Sequence, residues 1–134
     1  MLIVAASACS PADAPAPAVG AAQPKVEDLR LPSPARAAHP DLVTAPDGAL
    51  LLSWVEPMDK GGHRLRFSRR PAQSGDWQVP RTIAEGAKWF VNWADTPHVH
   101  ALADGSLWAH WLRITGPSRM DYGIDLVRSG DGGA

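Results

Sequence analysis

The apolar residues of this chain fall in short runs separated by turn residues, and the runs recur. Leu42-Val43-Thr44, Asp47-Gly48 and Leu50-Leu51-Leu52-Ser53-Trp54-Val55 read as a short strand, a tight turn and a largely buried strand. After the connection 56–62, Arg64-Leu65-Arg66-Phe67-Ser68 alternates polar and apolar, the period of a half-exposed strand. A turn at Ser74-Gly75-Asp76-Trp77 and a weaker strand over 79–83 complete four antiparallel strands in a meander. The stretch 40–55 then returns as 97–112. Pro40 and Pro97, Asp47 and Asp104, Gly48 and Gly105, Leu50 and Leu107, and Trp54 and Trp111 all stand 57 residues apart. Strands of the second copy are predicted over 97–102, 106–112 and 122–129, with a fourth falling beyond 134.

A single meander cannot bury both of its faces, so a repeat of this length implies sheets stacked on their neighbours. The expectation is an all-β chain forming part of a β-propeller: about two four-stranded antiparallel blades, the second incomplete. A small antiparallel sheet with a coincidental repeat is the alternative. Trp54 and Trp111, equivalent across the repeat, are predicted core residues. The final residues 129–134 open a turn whose next strand is missing, which reads as the front end of a longer propeller.

Composition narrows the function classes. The chain has 134 residues and a net charge of −1, so bulk electrostatics favours neither nucleic acid nor an anionic membrane. The sole cysteine, Cys9, excludes an internal disulfide and a cysteine zinc site. No cofactor is implied.

The N-terminus carries its own signal. Leu2-Ile3-Val4-Ala5-Ala6-Ser7-Ala8-Cys9 is an apolar run of shrinking residues ending at cysteine. It resembles the tail of a bacterial lipoprotein signal, in which Cys9 is lipidated and becomes the mature N-terminus. It lacks Lys or Arg ahead of the run and the run is short, so a true start upstream of Met1 is expected. The alternative is a soluble chain with a free thiol. Residues 10–38 are rich in Pro and Ala, the composition of a disordered, semi-extended tether. The layout is therefore a signal remnant over 1–9, a linker over 10–38 and propeller sheets over 39–134. Membrane attachment is expected through lipid alone, with export to the bacterial envelope.

Ser129, Asp131 and Gly133 form a Ser-x-Asp-x-Gly turn at the end of the third predicted strand of the second copy. This resembles the start of an Asp-box, the signature of the sialidase (bacterial neuraminidase repeat) family. Ser68 with Gly75-Asp76-Trp77 is its degenerate counterpart in the first copy. The resemblance spans about residues 38–134 and includes Trp89-Phe90-Val91-Asn92-Trp93-Ala94-Asp95 and His110-Trp111-Leu112. It implies glycoside hydrolysis on extracellular or envelope glycans, sialic-acid-containing ones among them, by a Tyr–Glu nucleophile supplied by later blades. It also implies an arginine before the first blade that grips a substrate carboxylate. The nearest match is Arg30 in Leu29-Arg30-Leu31-Pro32, without the family's aromatic. An acid/base aspartate is implied in the loop after the second strand, where Asp59 stands; the family's second arginine is replaced by Met58. The fragment alone is expected to be inactive. The alternative is a non-catalytic propeller lipoprotein that binds glycan or protein.

The connection 89–95 is predicted to open onto the ligand face, opposite the Asp-box turns. Trp93 offers a stacking surface, and Asn92 and Asp95 offer hydrogen bonds to sugar hydroxyls. Trp89 and Trp93 equally suit packing between blades. His98 and His100 alternate, so both project from one strand face. They suit channel lining or packing; no metal is assigned to them. Tyr122, inside a strand, is no nucleophile candidate.

With the upstream signal restored, mass spectrometry of the mature protein should find a diacylglyceryl group on an N-terminal Cys9. An unmodified thiol in a protein that retains the preceding residues would refute lipidation.

Overall fold

The computed structural model describes residues 23–118 and 120–133. Cys9 and the apolar run before it lie outside the described residues. Among those described, all regular structure is β, in seven strands: β1 (Ala38–Thr44), β2 (Leu50–Pro57), β3 (His63–Arg70), β4 (Arg81–Gly86), β5 (His98–Ala101), β6 (Leu107–Ile114) and β7 (Tyr122–Ser129). They form two antiparallel sheets in simple sequence order, β1-β2-β3-β4 and β5-β6-β7.

The repeat is structural down to its hydrogen bonds. In the first hairpin Gly48 N–H donates to Ala45 O at 2.9 Å and Ala45 N–H to Ala49 O at 2.8 Å; in the second, Gly105 donates to Leu102 O at 3.0 Å and Leu102 to Ser106 O at 2.9 Å. Asp47 accepts from Ala49 N–H at 3.2 Å, and Asp104 from Ser106 N–H at 2.9 Å. Gly48 and Gly105 take φ of 80° and 82°, the left-handed conformation that closes a three-residue hairpin and that β-branched residues avoid. Asp47 also pairs with Arg69, and Asp104 with Arg128 at 3.3 Å.

Those arginines stand 59 apart, not 57. The β6–β7 connection is two residues longer than the β2–β3 connection, so the offset changes from the third strand on. Leu50 pairs with Arg70, and Leu107 with Ser129. Arg70, not Ser68, is therefore the positional counterpart of Ser129. Ser68 instead donates from Oγ to Gln78 O at 2.6 Å, holding the β3–β4 connection.

The same face of each sheet looks the same way. Leu51, Val55, Leu65 and Phe67 of the first sheet meet Val99, Ala101, Leu107, Ala109 and Trp111 of the second in one apolar core. Trp89, from the connection between the sheets, stacks on Trp111 with centroids 5.3 Å apart and planes 7° apart. The opposite face of the first sheet carries Leu50, Leu52, Trp54 and Glu56. Residues 31–40 cover it: Leu31, Pro34, Ala37 and Pro40 share a groove wall with Leu52 and Trp54. The segment expected as a free tether thus packs on the first sheet over its last residues, because Trp54 and Leu52 offer apolar surface that nothing else in the sheet covers.

Trp54 is 1% exposed and Trp111 8%, so both repeat-equivalent tryptophans are buried, under different cover. Truncating either to Ala should cost about 3–5 kcal/mol, read by denaturant unfolding. A neutral effect at Trp54 would show that residues 31–40 do not seal that face.

Candidate functional site

Strand direction sorts the connections into two ends. The Asp47-Gly48 and Asp104-Gly105 hairpins, the β3–β4 connection and the Ser129–Gly133 turn lie at one end. The β2–β3, β4–β5 and β6–β7 connections lie at the other. Asp59, Asn92, Trp93 and Asp95 are therefore brought to one end. Arg30 is not among them: it lines a groove with Arg70, Gly75, Asp76 and Trp77 at the hairpin end.

Asp59 is exposed in a loop closed by Gly61 N–H to Met58 O and Met58 N–H to Gly62 O, both at 3.0 Å. In the β4–β5 connection, Phe90 N–H donates to Leu112 O at 3.0 Å and Ile114 N–H to Lys88 O at 2.9 Å, which pins the segment to the end of β6. Phe90 stacks on Tyr122 at 4.4 Å, a packing role for that tyrosine. Asn92 Oδ1 accepts from the N–H groups of Ala94 at 2.7 Å and Asp95 at 3.1 Å, and its amide donates to Asp95 Oδ2 at 2.5 Å. Asn92 thus spends its polar groups on shaping the turn. That turn lifts Trp93 into solvent, where it is 94% exposed.

Beside Trp93 lies an open groove of about 300 Å³ lined by Asp95, Thr96, Pro97, His98, His110, Trp111, Leu112 and Ile124, among others. His98 and His110 are directly cross-strand, with ring centroids 5.3 Å apart. Nδ1 of His98 lies 3.0 Å from Oδ2 of Asp41, though off the line of a hydrogen bond. Asp41 belongs to the first sheet, so this contact crosses the seam between the sheets. Sequence reasoning missed Asp41. Its only signal was its place in a strand whose alternate side chains turn toward the other sheet. Among the described residues no group of three or more His, Cys, Asp or Glu is arranged to hold a metal, and no helix is long and apolar enough to cross a membrane.

Glu56 is a buried carboxylate held by several partners. It accepts from Trp54 Nε1 and Arg64 Nε, each at 2.7 Å, and Arg66 Nη1 stands 3.8 Å away. Burial alone pushes its carboxyl up. The hydrogen bonds from Trp54 and Arg64 and the charges of Arg64 and Arg66 outweigh that and hold it below the ordinary value. With its oxygens occupied, Glu56 is a structural centre, not a free acid.

At the hairpin end, Ser129 and Asp131 turn the chain back on itself. Ser129 Oγ donates to Asp131 Oδ1, and Gly133 N–H reaches Ser129 Oγ at 2.7 Å and Asp131 Oδ1 at 3.2 Å. A Cβ on Gly133 would meet Phe67 Cζ at 2.6 Å, so only glycine lets the turn close on the first sheet. Arg81 Nη1 donates to Gly133 O at 2.7 Å. No family model, curated protein or solved structure matches this chain.

A carboxyl lowered on folding stabilises the native state above its unfolded pKa, about 4.3, and ceases to do so as pH falls through the folded value. Glu56→Gln should therefore lose about 1–3 kcal/mol at pH 7, discounted for the half-exposed Arg64. The loss should shrink as pH falls through the lowered folded value, where the native carboxyl also protonates. Thermal unfolding of both proteins between pH 3 and pH 7 measures this. A difference independent of pH would refute the charge argument.

Proposed function

We propose that this chain forms the first two blades of a sialidase-like β-propeller, exported and lipid-anchored through Cys9, whose 89–98 connection faces glycans outside the cell. The observation that carries the reading is the repeated sheet. Two meanders share hairpin bonds, Asp–Arg pairs and tryptophan positions, and each presents the same face in the same direction. The Ser129–Gly133 turn closes as an Asp-box would, at the end opposite Asp59, Trp93 and Asp95. Further sheets of the same repeat would complete the ring and supply the nucleophile and the remaining arginines.

The second reading is a non-catalytic glycan-binding propeller, and specific observations favour it. Glu56 is consumed by Trp54, Arg64 and Arg66. Met58 stands where the family carries arginine, and Arg30 lies at the wrong end to grip a carboxylate beside Asp59. What remains for a ligand is the bare Trp93 ring, a carboxylate at Asp95 and the imidazoles of His98 and His110. That set suits a sugar's apolar face and hydroxyls better than bond cleavage.

Saturation-transfer NMR of the purified chain with sialyllactose should show transfer to the sugar, weakened several-fold by Trp93→Ala, the loss of about 1 kcal/mol of stacking. A fluorogenic sialoside should not be turned over. Absence of transfer from the unaltered chain would sink the glycan reading. Turnover above a heat-killed control would overturn the expectation that this chain alone is inert.

A further inference from the structure

The turn that carries Trp93 lies at the end of the strands, in the connection between β4 and β5, and not on a face where sheets pack. Its shape comes from its own hydrogen bonds. Asn92 Oδ1 takes the N–H groups of Ala94 and Asp95, and the indole between them stands 94% exposed. A bare indole offers a flat apolar ring on which the C–H face of a pyranose can stack.

The polar groups beside that ring are mostly acceptors. Asp95 is exposed; its Oδ2 takes the Asn92 amide at 2.5 Å, which leaves Oδ1 for a ligand. An ionised carboxylate accepts hydrogen bonds and donates none. The Asn92 amide, the donor nearest to it, is already spent. Nδ1 of His98 faces Asp41, 3.0 Å away. Among the described residues Asp95 is the only one lining the groove that carries a fixed charge, and the charge is negative. Lys60, Lys88 and Arg113 reach this end of the sheets without lining the groove, and Arg113 is held by both oxygens of Asp125, at 3.1 and 2.9 Å.

Such a set discriminates between sugars. Hydroxyl groups donate to it. A sugar carboxylate brings a second acceptor and a second negative charge, and no cation answers it. Two like charges about 4 Å apart weaken binding about fivefold even in water. We infer that the Trp93 site selects an uncharged hexopyranose, its C–H face on the indole and its hydroxyls donated to Asp95, and that it holds any sialic acid of the same glycan outside. The inference rests on the glycan-binding reading and narrows it to the neutral part of the chain.

Saturation-transfer NMR of the whole chain with lactose and with sialyllactose, run side by side, tests it. Lactose should bind about fivefold more tightly. In sialyllactose the transfer should fall on galactose and glucose protons and spare the N-acetyl methyl of the sialic acid. Asp95→Asn keeps an acceptor for the Asn92 amide and removes the charge, so it should bring sialyllactose to about the affinity of lactose. Salt at 1 M, where the screening length is about 3 Å, should do the same to the unaltered chain. Tighter binding of sialyllactose, or strongest transfer to its N-acetyl methyl, overturns the inference and leaves the glycan-binding reading standing. A preference for lactose that survives both Asp95→Asn and high salt also overturns it, since the selection would not come from the carboxylate. No transfer to either sugar overturns both.

Discussion

The rest of the molecule depends on the seam where Leu51, Val55, Leu65 and Phe67 meet Val99, Leu107, Ala109 and Trp111. A twisted antiparallel sheet has two faces, and a lone meander of four short strands exposes one or both to water. Burying a large apolar side chain is worth about 1.5–3 kcal/mol, so the seam supplies the stability that neither sheet provides alone. It also sets the site. Trp89 leaves β4 and stacks on Trp111 inside the seam. The chain must then climb out to start β5, and Asn92 organises that climb into the turn that exposes Trp93.

Polar contacts trim the seam instead of driving it. Asp41 and His98 meet across its inner edge, and Arg81 holds the Gly133 carbonyl across the outer one. The largest charge cluster lies on the far side of the first sheet, where Glu56 joins β2 to β3 through Arg64 and Arg66 and caps the indole of Trp54. That indole is also covered by residues 31–40. Trp54 thus sits where three constraints agree: its ring needs cover, its N–H needs an acceptor, and Glu56 needs donors. At Trp111 the repeat places Arg113 where Glu56 stands beside Trp54, and the ring stacks on Trp89 instead.

Much of this was legible in the residues. Residue pattern placed five of the seven strands within two residues, and the Asp-Gly pairs gave both hairpins, because backbone geometry there leaves few residue choices; the first strand, read as 42–44, begins at Ala38. The fourth strand was placed a few residues early, at 79–83 against Arg81–Gly86, since its side chains are mostly exposed and carry no clear period. The counterpart of Ser129 was misplaced at Ser68, because a two-residue difference in a loop leaves no mark on strand pattern. The cover on Trp54 was invisible for another reason. Composition marks 10–38 as a tether, and only the shape of the exposed face shows that Leu31 and Ala37 have something to pack on.

The structure gathers Asp59, Asn92, Trp93 and Asp95 at one end of the sheets and leaves Arg30 at the other. Asn92 was expected to meet a ligand, yet its oxygen and amide both turn inward to Ala94 and Asp95. A side chain that shapes a turn this fully has little left to offer a sugar. Trp93 has the opposite character: it contributes nothing to the core, and keeping an indole in water costs favourable burial elsewhere. His98 lies between these cases, with one nitrogen beside the half-buried Asp41 carboxylate and the remainder of the ring facing the groove and His110. The end of the sheets therefore divides its labour between a residue that builds the turn, an indole held out from it, and an imidazole backed by a carboxylate of the neighbouring sheet. Of these three, the indole and the imidazole face solvent, while the amide is spent on the turn.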